Sequence, residues 1–380
     1  MAVQGIVHAH TSMHMMVQEA MLLHEIKAHN GWIGRIAISS DSQHITTSGM
    51  DRTLKMWRAD TGEQMWVIDV PDLMHSCMDM SKEGRLLAAG AYHESEGRHH
   101  PCVMLWGLAR GKAPKLIRVM MGHASAMRVI KFSPDGKKLA GGTEDGVLIV
   151  WSVQSGEVLM SHKLHRDHIY CLAWTSDSKA VASAGCSLGV AVRDAESGAQ
   201  LVDEIACGGS VFGATFGSQS DVLVVCGSFT GILVFDELQR GKAATLRHRL
   251  EGHEGSVQSV ALSPDDRHVA SGGDDKTLRV WEAATGQQIR VIEGIMLWAQ
   301  VVVWSPDGSY LVSGGADALR VWRVKLQVRV CVWLIKESTS LCYVRTDLRK
   351  DRCAFSMHAW CLHWACRSFA CHVFLLMQSD

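Results

Sequence analysis

Proline is scarce in this chain, six in 380 residues, and neither sign of charge is in excess, with 38 lysines and arginines against 39 aspartates and glutamates. A neutral balance gives no bulk field for nucleic acid or an anionic membrane, so neither is expected as a partner. The first twenty residues, MAVQGIVHAHTSMHMMVQEA, have no basic start and no continuous apolar run, which argues against a secretory leader. Paired cysteine spacing is also missing. Six of the 12 cysteines (Cys77, Cys102, Cys171, Cys186, Cys207, Cys226) are scattered singly and six crowd the last 55 residues. Scattered single cysteines behave as small buried hydrophobes, so a reducing, intracellular compartment is expected, cytoplasm or nucleus, and not secretion. Phosphate-loop, His-Glu-x-x-His, Gly-x-Ser-x-Gly and calcium-loop patterns are absent, so no catalytic residue, metal ligand or cofactor is assigned.

What is present is a repeat. From Gly252 to Trp281 the chain reads GHEGSVQSVALSPDDRHVASGGDDKTLRVW, with Asp275 and Trp281 at fixed distances after His253. The same distances hold for His29, Asp51 and Trp57 and for His123, Asp145 and Trp151. A spacing held three times is one supersecondary unit repeated. The Ser-Pro-Asp turn serves as a second ruler and places seven copies, with histidine-equivalent positions at His29, Pro71, His123, His165, Cys207, His253 and Ile295. Within a copy, short alternating runs such as Val257-x-x-Val260-x-Leu262 are bounded by Ser-Pro-Asp and Gly-Gly-Asp turns, the signature of antiparallel strands joined tightly. Extra residues in copy two enter a turn at Tyr92–Pro101, where insertion breaks no ladder.

At these residues the chain resembles the WD-repeat family, whose units begin near Gly-His and end near Trp-Asp. No copy keeps Trp-Asp itself: Trp57, Trp151, Trp281 and Trp322 are followed by Arg58, Ser152, Glu282 and Arg323. The resemblance implies an all-β fold, a seven-bladed β-propeller of four-stranded antiparallel blades. Three segments are expected: residues 1–20 flexible, 21–325 the propeller, and 326–380 a Cys/Trp-rich extension of uncertain order. Met21–Ile26 occupies an outermost-strand position with no earlier blade before it, so it is expected to pair onto copy seven (Val301–Trp322) and close the ring. Leu326–Leu334 is strand-like too and competes for the same edge.

Within a copy, a His, a hydroxyl, an Asp and a Trp recur: His29, Thr47, Asp51 and Trp57 in copy one, His253, Ser271, Asp275 and Trp281 in copy six. Their recurrence and the indole member oppose a catalytic triad. The resemblance implies a structural quartet, in which Asp orients His, His meets the hydroxyl, and the hydroxyl accepts from the indole. Copy five is apolar at all four places (Cys207, Val225, Phe229, Phe235), and copy two has Pro71 and Ala89. Copy three has Gly141 for the hydroxyl, where a water would substitute. Copy four has Ser187 and Arg193 for Asp and Trp, with Arg193 left without an account beyond a packed stem whose charge reaches the blade edge. The remaining histidine clusters, His162/His165/His168 and His99-His100, read as a strand that alternates faces and as a solvated loop.

The last 55 residues contain neither glycine nor proline. For them a zinc site on Cys361, Cys366 and Cys371, a bilayer span over 354–377 and a cap on the propeller stand beside a poorly ordered or non-native extension, the preferred reading.

The expected function is a non-catalytic scaffold that presents its His/Asp face to other proteins in a multiprotein complex, with an enzyme using the central channel as the alternative. The innermost strands read as largely apolar with small polar residues, which favours the scaffold. The third residue after each histidine position falls near the rim of that face. Trp32, Met74 and Trp298 lie on adjacent copies once the ring closes and are the expected partner-binding arc.

Overall fold

In the computed structural model every described element is a β-strand, with no helix among the described residues. Those are 8–70, 73–95, 98–109, 112–186, 189–229, 231–236, 243–295, 298–316, 318–336, 340–349 and 352–356. The chain divides into two compact units, Glu19–Val324 and a second made of residues 1–18 and 325–380.

The larger unit is a seven-bladed propeller. Blade one runs Ile33–Ile38, His44–Gly49, Thr53–Arg58 and Gln64–Asp69 in antiparallel order. The next five blades repeat this pattern, with innermost strands Leu73–Met80, Met127–Phe132, Ile169–Trp174, Val211–Phe216 and Val257–Leu262; the seventh begins at Ala299–Trp304. Burial grades outward. The second strands Ala180–Gly185, His268–Gly273 and Tyr310–Gly315 are buried along their whole length, whereas the outer strand Gln64–Asp69 is mostly exposed. The core lies between blades. Ile45 and Trp57 of blade one pack with Val301, Val312 and Val321 of blade seven, and Val129 and Leu148 of blade three with Ile169 and Leu172 of blade four. Small residues on the second strands permit this approach: a Cβ at Gly142 would sit 2.6 Å from a methyl of Ile169.

The ring closes as expected. The strand His8–Ile26 pairs with Leu319–Lys336, the third strand of blade seven. Leu23 and Ile26 pack on the cluster shared by blades one and seven, Arg320 meets Glu25 at 3.3 Å, and His24 Nε2 bonds the Asp60 carbonyl at 2.8 Å. The competing stretch, residues 326–334, instead continues the third strand and pairs with Ser340–Arg349.

A second set of contacts joins blades on the opposite face and was not legible beforehand. The fourth residue of several Ser-Pro-Asp-type turns is left-handed: Gly84, Gly136 and Gly308, but also Ser42, Ser178 and Asp266. Where a side chain is present it reaches the neighbouring blade's turn. Ser42 Oγ accepts from Asp307 N and Ser178 Oγ from Asp135 N, each at 3.1 Å. The Asp266 carboxylate accepts from the amides of Ser218 and Gln219 at 2.7 and 2.8 Å. The Tyr310 hydroxyl donates to the Ser42 carbonyl at 2.6 Å, a second bond between blades one and seven at this face.

The insertion in blade two is not the loose turn the sequence suggested. Leu86–Ser95 and Arg98–Gly107 stay in register to Ser95↔Arg98, with Tyr92↔Pro101 and His93↔His100 paired. Both strands grew by matching amounts, so the ladder simply continued.

In the smaller unit, Ser340–Arg349 pairs with residues 329–336 and with Arg352–Ser356. Cys361, Cys366 and Cys371 lie outside the described residues.

Candidate functional site

Each innermost strand starts at the face carrying the histidine and aspartate positions and ends at the face carrying the Ser-Pro-Asp turns. The first face holds the quartets. In blade six His253 Nδ1–H donates to the Asp275 carboxylate at 2.9 Å, its Nε2 accepts from the Ser271 hydroxyl at 2.8 Å, and Trp281 Nε1–H donates to that hydroxyl oxygen at 2.9 Å. Blade one repeats this through His29, Asp51, Thr47 and Trp57 at 2.8, 2.7 and 3.0 Å. Burial lowers both imidazoles and outweighs the pull of their aspartates, so the rings are neutral at pH 7. Burial raises the carboxyls, but the amide, hydroxyl and imidazole donors outweigh it and hold Asp51 and Asp275 below the usual range. Each pair is therefore a neutral ring on a carboxylate. Thr47 and Ser271 are fully buried, so the hydroxyl faces no substrate.

The incomplete copies differ one by one. In blade five Cys207, Val225, Phe229 and Phe235 all join one apolar cluster. Blade four keeps His165 Nε2 on Ser183 Oγ at 2.9 Å, and Arg193 reaches Gln200 at 3.2 Å on the blade edge. In blade three the Trp151 indole leans over Gly141, where a Cβ would meet its ring at 2.7 Å, and donates to the Met121 carbonyl at 2.9 Å instead. Neither ring nitrogen of His123 has a hydrogen-bond partner among the described residues, and burial pushes its imidazole down to about 4. His162, His165 and His168 diverge: His168 bonds the Glu144 carbonyl at 2.6 Å, and His162 packs at Gly198.

On this same face Trp32 and Trp298 meet edge to face, ring centroids 5.6 Å apart, although they are 266 positions distant in sequence (298 − 32). They remain 40% and 46% exposed. Beside them Met50, 64% exposed, donates its amide to the Trp32 carbonyl at 2.9 Å, and Gly31 lies against its Cβ. Met50 escaped the sequence reading because the rim was reached from the histidine loops alone; the turn one residue before Asp51 was the available signal. Met74 lies on Leu73–Met80, but its side chain is outside those described. Of the corresponding residues elsewhere, Ala126 is buried and Ser210 and Ser256 are half-buried.

The channel is less apolar than its strands suggested. Six innermost strands share a bulge at the same place, with Gly34, Arg128, Tyr170, Phe212, Gln258 and Gln300 as the skipped residues. A bulge re-aims its side chain. Here Tyr170, Phe212, Gln258 and Gln300 line a central cavity of about 500 Å³, with Arg35, Asp79 and Lys131. The Arg128 guanidinium lies 5.2 Å over the Tyr170 ring, which meets Phe212 edge on at 5.9 Å. Asp79 is occupied, accepting from Phe132 N at 2.8 Å and Lys131 Nζ at 3.2 Å. This convergence gives the channel polar and charged walls.

Comparison with known proteins gives three matches to the profile described as WD domain, G-beta repeat, over residues 20–58, 244–282 and 296–323. The anaphase-promoting complex subunit 4 WD40 domain matches over 107–177. Angio-associated migratory cell protein from Canis lupus familiaris is 25% identical over 79% of this chain and 69% of its own length. Apoptotic protease-activating factor 1 from Rattus norvegicus is 26% identical over 79% of this chain, which spans 26% of that protein. Nuclear distribution protein nudF from Emericella nidulans is 34% identical over 56% of this chain and 38% of its own length.

Proposed function

Because the chain belongs to the WD-repeat family, we propose that it is a non-catalytic scaffold that docks a partner protein on the apolar arc at Trp32, Met50 and Trp298. Propellers of this family generally bind other proteins and are generally not enzymes. The observation that carries the reading is the contact between Trp32 and Trp298, which folding brings together and leaves open to solvent. Buried pairs of this size contribute to a core; an exposed pair beside an exposed methionine is surface held ready for burial by another molecule. Met74 belongs to the same proposed arc, on the blade that follows. The site is proposed for a cell interior, cytoplasm or nucleus. In support, Cys77, Cys102, Cys171, Cys207 and Cys226 are free and buried, and burial is the largest cause that pushes the Cys77 and Cys171 thiols up to about 12.

Quantitative affinity purification of the tagged full chain tests this. Trp32→Ala and Trp298→Ala should each deplete the same set of bound proteins, by about 30-fold in affinity once a member is purified, the hot-spot range of roughly 2 kcal/mol. Ser256→Ala, on the same face but outside the arc, should retain them. Equal retention by all three, with folding checked by circular dichroism, moves the interface elsewhere.

A further inference from the structure

Among the described residues Arg35 makes no ion pair. Its two terminal nitrogens donate to the carbonyls of Gly34 at 3.2 Å and of Tyr170 at 3.1 Å, the second bond crossing the ring from blade one to blade four. Among the described residues no carboxylate lies within ion-pair distance of it. Asp79, the one carboxylate among the described residues that line the cavity, is engaged by Lys131 and the Phe132 amide. A guanidinium stays protonated even where burial opposes its charge, as it does here, and two carbonyls leave three of its five N–H donors unused. An enclosed charge without a partner is among the more expensive features a fold retains.

The surroundings suit an anion. Arg35, Lys82 and Lys131 line the cavity against the single carboxylate. On the adjacent blade Gln300, whose side-chain amide bonds no described residue, lines the cavity at nearly the same level of its strand. The Arg35–Tyr170 bond, with Arg128 and Phe212 packed on the Tyr170 ring, narrows the end nearest the quartets. Toward the other end the walls include Lys82, Ser133 and Ser218, which belong to the Ser-Pro-Asp turns. The cavity is thus a funnel that leads from the turn face to a guanidinium.

We propose that this channel binds a carboxylate against Arg35 and Gln300, entering from the face of the Ser-Pro-Asp turns. The forked guanidinium pairs both carboxylate oxygens, and the apolar lower walls at Phe132, Trp174 and Trp304 bury the carbon chain that carries the group. The carboxylate is either that of a small free acid or that of a glutamate or aspartate in a peptide.

Isothermal titration of the full chain with sodium succinate, at ionic strength matched with sodium chloride, tests this directly. Binding in the wild type should weaken at least about tenfold in Arg35→Met, the loss of a hydrogen bond to a charged group, and be unchanged in Trp32→Ala. A parallel arm compares an acetylated tetrapeptide carrying one glutamate with its glutamine counterpart. Tighter binding by the glutamate peptide than by succinate identifies a protein side chain as the source, and the reverse a free acid. Should Arg35→Met not fold, phenylglyoxal labelling of the wild type followed by peptide mapping reads the same site, with Arg35 protected by succinate and not by chloride. No succinate or glutamate-dependent binding, equal binding by Arg35→Met, or no protection of Arg35 overturns the proposal and leaves the arginine as a staple between blades.

Discussion

Asp275→Ala and Asp145→Ala remove the same side chain from equivalent turns, and the structure assigns them different losses. Asp275 accepts from His253 Nδ1, the amides of Glu254 and Thr277, the Thr277 hydroxyl and Arg279. Truncation strands a buried imidazole N–H and frees a ring that positions the Ser271–Trp281 bond. At 1–3 kcal/mol per stranded buried donor, with the exposed contacts contributing little, the loss is about 3 kcal/mol. Asp145 is exposed and bonds the Thr143 hydroxyl, while His123 and Trp151 are arranged without it. Its removal costs about 0.5–1 kcal/mol, the worth of one hydrogen bond. In differential scanning calorimetry a domain of this size shifts by roughly 2 °C per kcal/mol, so Asp275→Ala should melt about 6 °C lower and Asp145→Ala within about 2 °C of the parent. Equal losses, or the reverse order, would refute the claim that blade six depends on a complete network and blade three has done without one.

Two further outcomes follow from the seam and the histidines. Deleting residues 1–20 should leave a stable monomer, whereas deleting 1–27 removes the strand that packs Leu23 and Ile26 on the seam and should unfold or oligomerise the chain; a monomeric, stable 28–380 in size-exclusion chromatography rejects the closure. His29, His123, His165 and His253 are all lowered by burial. The unfolded chain therefore takes up protons first, and stability is full above about pH 6.5 and falls as pH drops through the window to about 4, where His123 protonates in the fold. Melting temperature measured from pH 7.5 to 4.5 should decline through that window and decline less in His123→Gln; a flat profile contradicts neutral buried rings.

The blade count, the ring closure and the quartets of blades one and six were written in the chain, because each depends on residues at fixed separations within one repeat, and a repeat fixes its own strand register. The apolar substitution in blade five was legible for the same reason: a network lost at four known positions leaves a cluster at those positions. The fate of His123 was not. It turned on the Trp151 ring moving into the space over Gly141, a steric choice that no spacing encodes. The tryptophan arc was half legible; loop position named Trp32 and Trp298, but their contact and the place of Met50 depend on blades one and seven meeting at the seam. Least visible were the contacts that cross the ring. Asp266 on the turn of blade five, Ser42 under Asp307 and Arg35 on the Tyr170 carbonyl join residues tens to hundreds of positions apart. Their partners are backbone groups, which carry no sequence signal, so only closure of the seven blades around one axis brings them within reach.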